Sequence, residues 1–166
     1  MKKAALTVTK DFTDDFNKLI KSFKNDNVVV GIPQSDKPRK DEEDDTINNA
    51  ALFAMANFGS AANNIPPWPI MAIGIKAAQA QIAEEFKKAA ASALTTGLAA
   101  LDVYYKRAGI IASTSIKKVL NSQQGIPEGR PLQSTLDART KGGNKYWLVT
   151  GQMRNAITYV VQRKGI

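Results

Sequence analysis

Apolar positions recur at helical spacing over residues 11–24, where Phe12, Phe16, Leu19, Ile20 and Phe23 form one stripe behind a capping Thr9 or Asp11; the stripe is expected to face a core. After the turn residues Asn25-Asp26-Asn27, the β-branched run Val28-Val29-Val30-Gly31-Ile32 predicts a short buried strand ended by Pro33. Gln34 to Asp45 is almost wholly polar, with Pro38 and the acidic run Asp41 to Asp45, and predicts a mobile loop. A second helix is expected over 46–58, with Ile47, Ala50, Ala51, Ala54 and Phe58 on one side and Gly59 as its stop. Pro66, Pro67 and Pro69 hold the next segment extended around Trp68, and Ile70 to Ile75 reads as a strand or the approach to one.

Residues 76–121 are helical in pattern but too long for one helix in a chain of this size, and Thr95-Thr96-Gly97 is the natural break. The first piece places Ile82, Phe86, Ala89 or Ala90, Ala93 and Leu94 on one face. The second carries Leu101, Tyr105, Ala108, Ala112, Ile116 and Val119, with Gly109 weakening its middle. A turn over 125–131, a short helix over 132–139 and a mobile basic loop over 141–145 follow. Thr150-Gly151 opens a helical turn, and Ile157 to Gln162 is a terminal strand.

With 166 residues, the chain has room for one domain burying roughly two-thirds of its unfolded surface, and 43% hydrophobic with 23% charged residues is an ordinary globular balance. A single domain over 1–166 is therefore expected. The chain has no cysteine, which removes disulfides, thiolate nucleophiles and zinc-thiolate sites and fits a reducing cytosol. Met1 to Leu6 begins like a signal peptide, but Thr7 and Thr9-Lys10-Asp11 interrupt it, and no apolar run is long enough for a bilayer; cytosolic synthesis and no membrane partner are expected.

The chain also has no histidine, so no Ser-His-Asp triad, His-ligated metal or imidazole base exists. Glu84 and Glu85 are adjacent on a helix and point apart, the run Asp41 to Asp45 lacks the spacing and interior glycine of a calcium loop, and Lys141-Gly142-Gly143-Asn144-Lys145 lacks Walker spacing. The expectation is a non-enzymatic protein without catalytic residues, metal or cofactor.

Charge is uneven. Residues 1–45 hold ten of the 15 acids and nine of the 23 Lys/Arg, for a net −1, while residues 46–166 carry 14 bases and five acids, for +9. Lys106, Arg107, Lys117, Lys118, Arg130, Arg139, Lys141, Lys145, Arg154, Arg163 and Lys164 make up most of that excess, with Tyr104, Tyr105, Tyr146 and Trp147 as stacking candidates. Solvation accounts for scattered charge of this kind as well as a nucleic-acid surface does. Trp68 has two readings, a core tryptophan and an aromatic presented by a stiff extended segment.

Four motifs, in order, are Val30-Gly31-Ile32, Asn57-Phe58-Gly59, Ile65-Pro66-Pro67-Trp68-Pro69 and Thr150-Gly151-Gln152-Met153-Arg154. Together they resemble the virion-morphogenesis family of tailed bacteriophages, small neck, minor-tail and tail-completion proteins. Where relatives carry Arg-Pro-Phe this chain has Trp68-Pro69-Ile70, so no role passes from that arginine. The resemblance implies an α+β fold with a small antiparallel sheet packed against a long helix and additional short helices. It also implies a virion protein, made in the host cytoplasm, that assembles as a homo-oligomeric ring between portal-proximal connector and tail proteins. Trp68, Arg154 and Tyr159 are the interface candidates, and DNA in the channel is a candidate contact. The alternative from a different class is a small basic DNA-binding protein acting in packaging.

Overall fold

The computed structural model describes residues 13–33, 48–126 and 151–163. Helix α1 (Thr13–Asn25) leads directly into strand β1 (Asn27–Gly31). Next come α2 (Asn49–Phe58), the long α3 (Ile70–Thr96), a 3-10 turn (Leu98–Ala100), α4 (Leu101–Ser122), a short α5 (Gln152–Ala156) and strand β2 (Thr158–Gln162). The architecture is α+β, with β1 and β2 pairing antiparallel from Asn27↔Gln162 to Gly31↔Thr158.

The α3–α4 hairpin organises everything else. Gly97, at φ 92°, ends α3 while its N–H reaches Ala93 O at 3.1 Å, and the 3-10 turn then reverses the chain into α4. Small residues line the buried stripe of α3, at Gly74, Ala78, Ala89 and Ala93, and let the two helices come close. A Cβ added at Gly74 would lie 2.8 Å from Ile116 Cα, and the Ser115 hydroxyl donates to Gly74 O at 2.8 Å. The six α4 residues expected to face inward, Leu101, Tyr105, Ala108, Ala112, Ile116 and Val119, are all buried. The sheet lies on α4, where the Tyr159 ring occupies the space that a side chain at Gly109 would need.

Two hydrophobic clusters lie along the hairpin. One, at the start of α3, contains Phe53, Trp68, Ile70, Ile116, Leu120, Met153 and Ile157. The other, at the end of α3, contains Leu19, Ala89, Ala93, Leu101 and Tyr105, with the Phe23 and Phe86 rings edge-on to Tyr105.

Several expectations are corrected. The strand β1, expected to be buried, leaves Val29 half exposed because a two-stranded sheet packs on α4 with one face only, and Leu94, expected on the inward face of α3, is more than half exposed. Ile70 to Ile75 is the opening of α3 rather than a strand. Pro69 makes no side-chain cap there, but Asn57 Oδ1, from the end of α2, accepts the Met71 N–H at 3.0 Å and satisfies one of the donors a helix start leaves open. The side of α2 holding Ala51, Ala54 and Phe58 faces solvent; Phe53, Ala56 and Asn57 are the buried residues. On α1, Leu19 is buried and Phe23 partly so, but Phe16 and Ile20 remain half exposed. The loops expected over 34–45 and 141–145, the helix over 132–139, and Ile47 and Phe12 lie outside the described residues.

Candidate functional site

The Asn57-Phe58-Gly59 segment divides its labour. Asn57 is buried and caps α3, as described above. Gly59 sits at φ 78°, and a Cβ on it would come 2.8 Å from Ile65 O and 2.9 Å from Pro67 N, so only glycine fits this crossing. Between them Phe58 is 74% exposed, the most exposed large apolar side chain described. The backbone around it is closed by hydrogen bonds. Ser60 and Ile65 exchange two backbone hydrogen bonds of 2.9 Å, Gly59 N–H closes α2 on Met55 O at 2.8 Å, and Trp68 N–H reaches Ala56 O at 2.9 Å. A large aromatic on a closed, hydrogen-bonded tip loses little conformational freedom when it is covered, which is the property of an interface anchor.

At the other end of α3 an open groove of about 710 Å³ runs between α1 and the helix end, lined by Thr13, Asp15, Phe16, Leu94, Gly97 and Leu98 among others. Phe16 is 50% and Leu94 55% exposed there. From Met71, bonded to the tip, to Leu94, in the groove, α3 rises by about 35 Å at 1.5 Å per residue.

The solvent face of α4 is basic. Arg107 covers the Tyr104 ring, 5.5 Å from its centroid, and comes within 4.0 Å of Glu85. Asp102 holds Lys106 at 2.6 Å and Arg163 at 2.8 Å, and the hydrogen bond from Lys106, with both positive charges, keeps its carboxyl below the usual carboxylate value. Further along, Lys117 and Lys118 meet no carboxylate among the described residues.

Of the sequence-derived interface candidates, Trp68 is buried within the subunit, while Arg154 and Tyr159 keep part of their surface exposed. Trp68 is 0% exposed, with its indole N–H donating to Gln124 O at 2.9 Å; it has the core role of the two readings, and a fully buried ring offers a partner no surface. Arg154 is half-buried and donates to Asn121 Oδ1 at 3.0 Å and Asn155 Oδ1 at 3.3 Å, tying α5 to the end of α4. Tyr159 lies partly buried against Gly109. Of the stacking candidates, Tyr105 is core, Tyr104 lies under Arg107, and Tyr146 and Trp147 are outside the described residues.

What sequence reasoning missed is Phe58 as a surface group, although it had the signal: a large apolar residue directly before the glycine that ends a helix. The groove has no such signature, because it exists only where α1 meets the end of α3. Among the described residues no three of Asp, Glu, Cys and His gather as metal ligands, and no helix is long and apolar enough to cross a membrane. Comparison with protein-family models, with curated proteins and with solved structures finds no match.

Proposed function

We propose that this chain is a structural, non-enzymatic subunit of the head–tail junction of a tailed phage, a neck or tail-completion component that assembles as a ring. The carrying observation is Phe58. It is the exposed member of a motif shared with the virion-morphogenesis family by resemblance, while its neighbours Asn57 and Gly59 fix the backbone on either side of it. A presented aromatic, with no group of three Asp, Glu, Cys or His gathered among the described residues, suits an assembly role. The small sheet beside a long helix agrees with what the resemblance implies for the fold. The test is electron microscopy of particles made without the protein. Filled heads and finished tails that fail to join are expected; normal infectious virions would overturn the assignment.

The second reading, a basic DNA-binding protein, draws on one observation, the α4 face where Lys117 and Lys118 meet no carboxylate among the described residues. A phosphate binder releases counterions, so its affinity for duplex DNA should fall steeply with salt, whereas shape-matched protein contacts should respond weakly.

A further inference from the structure

We infer that, on assembly, the α5–β2 unit of one copy docks on the body of the next (α1 to α4 with β1) in place of that copy's own, so that neighbouring subunits exchange their β2 strands. The inference deepens the ring reading and rests on it for the presence of neighbouring copies; the closed chain described above is the unassembled state.

The receiving surface is seen filled, and what fills it is α5–β2 itself. β2 pairs with β1 from Asn27↔Gln162 to Gly31↔Thr158. The Tyr159 ring occupies the notch left by Gly109, and the buried Met153 and Ile157 complete the cluster at the start of α3. Arg154 donates to Asn121 Oδ1 at 3.0 Å, and Arg163, just past β2, donates to Asp102 Oδ1 at 2.8 Å. Each of these partners belongs to the body, so a second copy presents the same strand, notch, apolar site and charge to the same unit.

The covalent link between Ile126 and Gly151 decides which copy's unit fills the surface. It holds residues 127–150, 24 in all, a length of chain that reaches at most about 85 Å, against about 40 Å for α3, the longest element described. The link is therefore long enough to carry α5–β2 to a neighbouring body. Exchange breaks and remakes the same contacts, so those contacts favour neither state. In an isolated chain the link keeps the unit beside its own body at an effective concentration on the order of millimolar, and the closed form wins. In a ring each body has a neighbour within reach, each copy that gives a unit receives one, and transfer in one direction closes with the ring and leaves no strand or notch open.

The chain has no cysteine, so introduced ones report alone. Val29 and Val160 stand directly opposite each other in the register, half exposed on the outer face of the sheet, at a spacing that a disulfide bridges. Val29→Cys and Val160→Cys are made singly and together in the full-length chain, with circular dichroism to confirm folding, and oxidised both as dilute monomer and after assembly. On denaturing gels without reductant, the double variant should close within one chain when dilute and give a reducible ladder after assembly, and the two single variants assembled together should give a mixed dimer. The double variant locked by oxidation as a monomer should assemble at least about tenfold less well than its reduced form. Intrachain disulfides alone after assembly, with no mixed dimer from the single variants, would overturn exchange and leave the ring reading standing. Homodimers of either single variant in excess of the mixed dimer would place two sheets face to face and also overturn it. A wild-type chain that stays monomeric, alone and in assembled particles, would remove both.

Discussion

The two ends of the α3–α4 hairpin are built from the same helices and finished differently. At the start of α3, Trp68, Ile70, Ile116, Leu120 and Ile157 are all large and sealed from solvent, and α2, α5 and the segment before α3 close over them. At the end of α3 the buried cluster is Leu19, Ala89, Ala93, Leu101 and Tyr105, Ile20 stays half exposed, and Phe16 and Leu94 stay half exposed beside an open groove. Stability therefore comes mostly from the first end. The second retains apolar surface that no described residue covers.

The comparison can be broken by mutation. Trp68→Ala should have the largest effect, a loss of about 3–5 kcal/mol from the cavity and the lost indole bond to Gln124, measured by urea unfolding. Gly74→Val should cost about 1–3 kcal/mol, because its side chain must push Ile116 away and part the helices; an unchanged midpoint would mean that the hairpin is looser than its contact distances. Arg154→Ala should cost about 0.5–1.5 kcal/mol by removing the hydrogen bond that ties α5 to the end of α4, and joining of heads to tails should suffer only in proportion. Lost joining at full stability would return Arg154 to the interface. Leu94→Ser should fall within about 0.5 kcal/mol; a loss comparable to Trp68→Ala would show that the two ends are alike.

The smallest expected effect is a pH dependence. Asp102 has a folded-state pKa lowered by Lys106 and Arg163, so its contribution is present above the ordinary carboxylate range and is lost as pH falls through the lowered value. Thermal scans from about pH 5 downward should show Asp102→Asn losing this part of the acid sensitivity while matching the slope of the parent elsewhere.

How far the fold is legible follows the same division. The α4 stripe reads correctly because Leu101, Tyr105, Ile116 and Val119 are bulky and their spacing leaves one choice of face. In α2 the alternatives are closer. Alanines on the side of Phe58 supply little driving force, so Phe53 decides the orientation, and the side named from spacing alone turns outward. The β-branched Ile70-to-Ile75 segment favours a strand locally; a cap from Asn57 and the fit of Gly74 against Ile116 make it a helix, and neither partner is close in sequence. The same reasoning explains the site. Trp68, Arg154 and Tyr159 stand out by residue type or motif position, but neither reveals that Gln124 and Asn121 accept hydrogen bonds from the first two or that Gly109 makes room for the third.

The pairing of β1 with β2 carries a kinetic consequence. These strands come from opposite ends of the described chain, with both long helices between them, so β1 emerges from the ribosome long before its partner exists. The local α3–α4 hairpin has every reason to form first, and the sheet can be added only after most of the chain has been ordered. Until then Val28 to Val30 remains an unpaired edge beside a bare Gly109, which makes the last strand a clasp on the finished fold and its absence an invitation to aggregation.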